Sequence, residues 1–305
     1  MSERLYIIGN GFDIYHGIPS RYSDFKNYVK NVDSCLHDRI EEHLPIDEQW
    51  NELEAAFADL DVDHITDEAG QFLMPYSAED WSDSGHHDYQ YELDNIVSDL
   101  SQGLKSLFCE WIRGLNIKPV RQPFCKPLPI DTQAIFLTFN YTQTLQITYQ
   151  VEDKNILHIH GKSEDDDSDI VLGHSWNPED IPDFNDIPDP EDRDIRIREG
   201  YELINNYFRG TFKPSSTIIQ SNRFFFNNLK NVRQVFVLGH SLANVDMEYF
   251  EVLVRDLQDS ADWVITFYGD DELERHRQTV RQLGIKRVRF CAMHELDGDI
   301  MNACQ

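Results

Sequence analysis

Asn140 and His160 are the side chains whose types and placing best suit the breaking of a bond. Asn140 stands in Thr138-Phe139-Asn140-Tyr141, at the end of an apolar run. Its amide both donates and accepts hydrogen bonds, which suits a ribose hydroxyl or a water. Helix capping by Asn140 or Thr142 is the ordinary alternative, and the two roles can coexist. His160 precedes Gly161 at the end of Ile156-Leu157-His158-Ile159-His160. Imidazole changes charge near neutral pH, so a histidine at a strand end can serve as a general base. Strand alternation puts His158 and His160 on one face, an arrangement that could also hold a metal. His174 and His240 follow other apolar runs, and spacing alone fixes no third ligand. For His158 the simpler reading is a core histidine satisfied by the backbone.

Two glycine turns could meet a phosphate or a ribose. Gly9-Asn10-Gly11 follows the run 5–8 and opens a helix. Glycines at such a turn let backbone amides approach a pyrophosphate. Ile14 stands where the dinucleotide fingerprint has its third glycine, so a tight turn without a ligand fits equally well. Gly17-Ile18-Pro19 then stops the helix that holds Asp13 and Tyr15. Gly239-His240-Ser241-Leu242 ends a later run, and Asp246 begins the next helix. Ser241 suits an adenosine phosphate or ribose. Asp246 either joins it or is an acid at a helix N-terminus. A Ser-His-Asp hydrolase is disfavoured, because no G-x-S-x-G elbow is present.

Short strands must position these residues. Runs at 5–8, 134–139, 156–160, 170–172, 234–238 and 263–268 read as strands, with 286–291 as a further candidate. Helical stretches at 142–151, 247–257 and 271–283 lie between them, and this alternation predicts a parallel sheet. Residues 22–120 read as mostly helical. Trp50, Leu53, Phe57 and Leu60 fall on one helical face, as do Leu93, Ile96, Val97 and Leu100, continued by Leu104, Leu107 and Trp111. Trp50 reads as core, and Glu52 and Glu54 as solvated surface. The acidic stretch 78–88, with Gly85, His86 and His87, reads as a loop, and four prolines within 118–129 end the helical region. Residues 178–190 read as an acidic surface loop, followed by a partly helical stretch at 195–228. The predicted fold is therefore α/β, with a Rossmann-like parallel sheet built from 1–25 and 130–305. A large helical insertion, 26–129, follows the first strand, and an acidic loop with helices, 177–230, is an excursion within the core.

Composition narrows the partners. The 305 residues are 40% hydrophobic and 12% aromatic, which is globular and not disordered. Lys and Arg number 27 against 55 Asp and Glu, a net charge of −28. Direct binding to nucleic acid or to an anionic membrane is disfavoured at that charge. Cys35, Cys109, Cys125, Cys291 and Cys304 are scattered, which argues against a disulfide framework or a cysteine-rich zinc site. Neither a signal peptide nor an apolar stretch approaching the ~20 residues of a spanning helix is evident, so a cytoplasmic protein is expected.

Taken in order, these pieces resemble a known family. Tyr6-Ile7-Ile8-Gly9-Asn10-Gly11-Phe12-Asp13, Gly17-Ile18-Pro19 with Tyr22 and Phe25, Phe139-Asn140-Tyr141-Thr142, His158-Ile159-His160-Gly161, and Leu238-Gly239-His240-Ser241 with Asp246 resemble the AbiH family of phage abortive-infection proteins. The resemblance runs from Leu5 to about Phe250. The same order is similar to a distant sirtuin pattern. That resemblance implies a nucleotide site comprising Gly9, Asn10, Gly11, Phe12, Asp13, Gly17, Pro19, Gly239, Ser241 and Asp246. Asn140 would hold the nicotinamide ribose or a water, and His160 would be the base. Three departures stand out. Asn10 replaces a small residue, Thr142 stands where sirtuins carry an acid, and the four-cysteine zinc module is absent. The last disfavours protein deacetylation and leaves cleavage of NAD by water.

The resemblance thus implies a phage-defence protein with NAD as substrate or ligand and with no metal. Cleaving the nicotinamide–ribose bond builds positive charge on the ribose, and the leaving group is already cationic. Such a site has mainly to bind, shape and guide water. A phage-derived trigger or a homo-oligomeric switch is expected, with the helical insertion as the place to look. The alternatives are a nucleotide-sensing or partner-binding module without catalysis, and a metal-dependent nuclease or phosphatase using the histidines.

Overall fold

Apolar runs without polar alternation form strands that are covered on both faces. In the computed structural model, which describes residues 2–77, 85–118, 127–164, 170–180, 183–186, 194–258 and 260–297, four such runs lie in one sheet with two less covered edge strands, the short segment before His160 and Val288–Ala292. From the N-terminus the elements are β1 (Arg4–Ile8), α1 (Asn10–Tyr15), α2 (Tyr22–Val32), α3 (Ser34–His43), α4 (Leu53–Ala56), α5 (Val62–Gly70), α6 (Asp88–Ser98) and α7 (Leu104–Gly114). They continue as β2 (Ile135–Thr138), α8 (Thr144–Tyr149), β3 (Ile156–His158), α9 (Ile195–Gly210), α10 (Ser215–Ser221) and α11 (Arg223–Asn227). The last are β4 (Gln234–Leu238), α12 (Met247–Asp256), β5 (Asp262–Phe267), α13 (Asp270–Gln282) and β6 (Val288–Ala292). A π-helical turn, Asp99–Gly103, joins α6 to α7.

The chain forms two compact units. One comprises 1–21, 109–171 and 214–305, and the other 22–108 and 172–213. The first unit holds the sheet. Its strand order is β3-β2-β1-β4-β5-β6, and every neighbouring pair is parallel. This is the doubly wound order of dinucleotide-binding folds, as the sequence leads one to expect. Leu5, Ile7, Val235 and Val237 face Phe139, Phe226, Tyr249 and Phe250. Tyr6, Ile8, Phe236 and Leu238 point the other way, toward Phe12, Phe136 and Leu145. On that face the Tyr6 ring stacks between Phe136 and Phe236, with centroids 5.0 Å from each.

Register brings the strand ends level. Ile8 pairs with Thr138 on one side and Leu238 on the other, and Thr138 pairs with His158. Gly9, Phe139, Ile159 and Gly239 therefore follow at one edge of the sheet. The strand order reverses between β1 and β4, and ligands of this fold class bind at that switch point.

The second unit is helical. Its core includes Phe25, Trp50, Leu53, Ile65, Leu93, Leu100, Ile204 and Tyr207. Helices α6 and α9 meet so closely that a Cβ on Gly200 would stand 2.6 Å from Leu93 Cδ1.

Four expectations are corrected. Residues 170–172 form no strand; Ile170 and Leu172 are buried, yet the segment has no ladder beside it. The run 50–60 is not one helix. Asp47 accepts hydrogen bonds from Asn51 N and Asn51 Nδ2, Trp50 takes a φ of 59°, and only the single turn α4 and a 3-10 turn, Phe57–Asp59, follow. A local side-chain turn has outcompeted the helix there, although all four periodic residues are buried. The helix expected from 142 starts at Thr144 with Gln143 before it, and neither Asn140 nor Thr142 caps it. The strand before His160 stops at His158, so alternation does not put the two histidines on one strand face.

Residues 78–84, most of the proline-rich 118–129 segment (119–126), and 181–182 with 187–190 of the acidic loop lie outside the described residues. So do Cys125 and Cys304; Cys35, Cys109 and Cys291 are free thiols. Among the described residues no helix is long and apolar enough to cross a membrane.

Candidate functional site

The glycine turn after β1 fits against the turn after β4, backbone to backbone. Gly9 N donates to Leu238 O at 3.0 Å, and Gly11 N donates to Gly239 O at 2.7 Å. A Cβ on Gly9 would stand 2.5 Å from His240 Cα, and one on Gly11 2.8 Å from Gly239 Cα. Gly239 has a φ of 65°, and a Cβ there would meet Phe12 N at 2.2 Å. Glycine is thus required at 9, 11 and 239 by the approach of two chain segments. Thr266 on β5 steadies the second turn by accepting from Gly239 N at 2.8 Å and donating to Val237 O at 3.2 Å.

The 17–20 segment is tied back to α1. Ile18 N donates to Asp13 O at 3.0 Å, while Asn10 Nδ2 donates to Ser20 O at 2.7 Å and Asn10 Oδ1 accepts from Ser20 Oγ at 2.6 Å. Gly17 and Pro19 are exposed, and Phe12 is buried with its ring 4.4 Å from that of His16.

Asp13 and Asn140 meet beside Gly9. Asn140 Nδ2 donates to Gly9 O at 3.1 Å. Asp13 Oδ2 accepts from Thr142 Oγ1 at 2.6 Å, and Thr142 is 3.2 Å from the Thr144 hydroxyl. Asp13 is 1% exposed, and that burial raises its pKa to about 6 despite the Thr142, Thr144 and Asn140 groups, which favour the charged form.

Three further side chains converge where β3 and β4 end. Asp246 Oδ1 stands 3.6 Å from His160 Nε2, and Asp246 Oδ2 stands 3.5 Å from His240 Nε2. His240 Nδ1 accepts from Leu242 N at 3.0 Å, so its proton sits on Nε2 and faces the carboxylate. Phe139 packs edge-on against both rings, at 5.2 Å from His160 and 4.4 Å from His240, and Tyr249 lies 5.5 Å from His160. A carboxylate beside an imidazole favours the charged form of the ring. All three are buried, at 2% for His160, 3% for His240 and 8% for Asp246.

The family model of bacteriophage abortive infection AbiH matches residues 5–267. The chain belongs to the AbiH family. Its place is therefore in phage defence by abortive infection. No curated protein matches the chain. The AbiH match runs from β1 through the last residue of β5 and includes every residue selected from the sequence.

Within the AbiH fold those residues sort into distinct places. Gly9, Gly11, Asp13, Asn140, His160, Gly239 and Asp246 come together at the switch point. Ser241 is exposed, and its carbonyl accepts from His276 Nε2 at 3.2 Å. His158 is half-buried and satisfied, with Nδ1 donating to Asn140 O at 3.1 Å and Nε2 accepting from Gln146 Nε2 at 3.0 Å. His174 is held likewise, by Phe208 O at 3.1 Å and Trp176 N at 3.2 Å. Sequence reasoning missed Thr144, Tyr249, Thr266 and His276. Thr266 carries a signal, a hydroxyl near the end of an apolar run, whereas the others come from helices with no local motif. A cavity of about 340 Å³ in the helical unit, lined by Ser98, Ser101, Gln102, Lys105, Asn206 and Tyr207 among others, contains none of the selected residues.

Proposed function

We propose that this AbiH protein cleaves the nicotinamide–ribose bond of NAD or a related nucleotide, in the manner of sirtuin-like glycohydrolases. The observation that carries the reading is the His160–Asp246 pair beside Asn140 and the glycine turn, at the switch point of a doubly wound sheet. The His160 ring nitrogen that does not face Asp246 would take the proton from the attacking water, and the Asp246 carboxylate, 3.6 Å from Nε2, would stabilise the charged ring. Asn140 would position the ribose or the water, and Gly239 with Ser241 would meet the adenosine half. The acid that sirtuins carry two residues after the asparagine is Thr142 here, and the Asp13 carboxyl lies against its hydroxyl. Asp13 thus supplies an acid at that place.

The four polar side chains are all less than a tenth exposed, so a dinucleotide reaches them only after the surrounding chain moves. A latent resting form of that kind suits a defence protein that waits for a phage-derived trigger or for self-association. The test is incubation with NAD and chromatography for nicotinamide, with His160→Gln and Asn140→Ala alongside. Release that both variants lose while staying folded is the expected result. Equal release from the variants and the parent would remove these residues from the mechanism.

A nucleotide-sensing module without turnover is the second reading. What favours it is that His160 Nε2 and Asp246 Oδ1 stand 3.6 Å apart, longer than a hydrogen bond, so the acid–base pair is not engaged; the amides of Gly9, Gly11 and Phe12 are already taken by Leu238 O, Gly239 O and Gly9 O, so a ligand would be met by side chains rather than by these amides. Binding of NAD by calorimetry with no nicotinamide released over long incubation would select it.

A further inference from the structure

We propose that His43, His64 and Glu68 form a binding site for a divalent transition-metal ion of the zinc class within the helical unit. His43 is the last residue of α3, and His64 and Glu68 lie one turn apart on α5. Each offers one ligand atom, and the three atoms lie within 4.8 Å of one another. Zinc ligands at bond lengths of about 2.0–2.2 Å sit roughly 3.3–3.6 Å apart in a tetrahedron. His43 Nε2 and Glu68 Oε2 are 3.7 Å apart, too long for a hydrogen bond and close to that spacing.

The backbone fixes the two helices relative to each other at this point. Asp61 N donates to His43 O at 3.1 Å, and the Asp61 carboxylate caps α5 by accepting from His64 N at 3.0 Å. The side chains are left with unmet needs. His43 is 2% exposed, and the Glu68 Oε2 that faces its Nε2 is buried with no hydrogen-bond partner. Orphaned buried polar atoms are costly, and a cation that accepts lone pairs relieves the cost.

The donor set selects the ion. Two imidazoles and one carboxylate suit zinc and its neighbours rather than calcium or magnesium. Glu42 Oε1, 3.4 Å from His64 Nε2, adds a carboxylate that can orient that ring. Arg39 is the nearby cation, and its guanidinium is engaged by Asp99 and Glu92. His64 is about half exposed and offers a path from solvent. With three protein ligands, at least one coordination position is left for water. The ion would staple α3 to α5. This inference does not rest on the nucleotide reading.

The test uses the full chain after treatment with a chelator. Titration with Co²⁺ should give one equivalent bound per chain, visible as d–d absorption that Zn²⁺ then abolishes by displacement. Zn²⁺ should also raise the melting temperature. His64→Ala and Glu68→Gln alter side chains open to solvent, so both should fold as judged by circular dichroism and bind at least tenfold more weakly. His87→Ala, elsewhere on the same unit, should bind as the parent does. Absence of d–d absorption with Co²⁺ in excess, or equal affinity in His64→Ala and Glu68→Gln, would overturn the site.

Discussion

The Thr142 hydroxyl donates a 2.6 Å hydrogen bond to Asp13 Oδ2, joining the helix after β1 to the loop after β2. Asp13 is buried, and its pKa is raised from 3.8 to about 6. The folded chain therefore holds a proton there that the unfolded chain has released. Stability from this group is full below about pH 4 and is lost as pH rises through about 6, a change on the order of 3 kcal/mol. Asp13→Asn cannot titrate. In urea denaturation its stability relative to the parent should climb between about pH 4 and pH 7. A difference that stays constant over that range would mean that Asp13 ionises without cost.

The two classes of glycine should respond differently to alanine. Gly239→Ala places a Cβ 2.2 Å from Phe12 N at a φ of 65°, against rigid backbone on the neighbouring turn. A loss of several kcal/mol, more than about 4, is expected for such an overlap. Gly17→Ala has the same kind of φ, 74°, with nothing within 4 Å of the added carbon. It should cost about 1 kcal/mol, the backbone penalty alone. Comparable denaturation midpoints for the two variants would refute the fit of the two turns.

Asp246 tests the acid–base reading separately from binding. Asp246→Asn keeps the shape between His160 and His240 but removes the charge that faces both rings. Nicotinamide release should fall by about 100-fold or more, because a charged His160 loses its partner. Unaltered kcat in a folded variant would leave Asp246 a structural residue.

A buried ion pair in the helical unit gives a fourth prediction. Lys213 Nζ meets Glu54 Oε2, and Tyr22 donates to Glu54 Oε1 at 2.6 Å. The Lys213 side chain is wholly buried. Glu54→Gln should cost about 3–5 kcal/mol, since it takes the carboxylate from a buried ammonium, whereas Glu54→Gln with Lys213→Met should recover much of it. Additive losses in a double-mutant cycle would show that the two side chains are not coupled.

The legible parts of the fold are those buried on both faces. β1, β4 and β5 stand out because residues 5–8, 235–238 and 263–265 are apolar without alternation, as strands covered on both faces of a parallel sheet are. The same pattern misleads at 170–172, where burial comes without strand neighbours. It misleads again at Trp50, where the 3- and 4-residue spacing records burial while Asp47 turns the chain. Glu54 reads as a solvated surface acid until Lys213, 159 residues away, is seen beside it. In the site, Asn140, His160 and Asp246 are visible as strand-end and helix-start residues. That one carboxylate stands between His160 and His240 is not visible, since three separate connections must fold before they meet.

The pairing of β1 has a consequence for how the molecule is made. Arg4 lies next to Gln234 in the sheet, 230 residues later in the chain. β1, the earliest strand of this sheet in chain order, is therefore a central one, and both of its edges wait: one for β2, the other for β4. A chain interrupted before β4 presents an apolar ribbon with unsatisfied amides, the kind of surface that recruits other chains. Slow elongation or early termination before β4 should therefore leave aggregate rather than a partial fold.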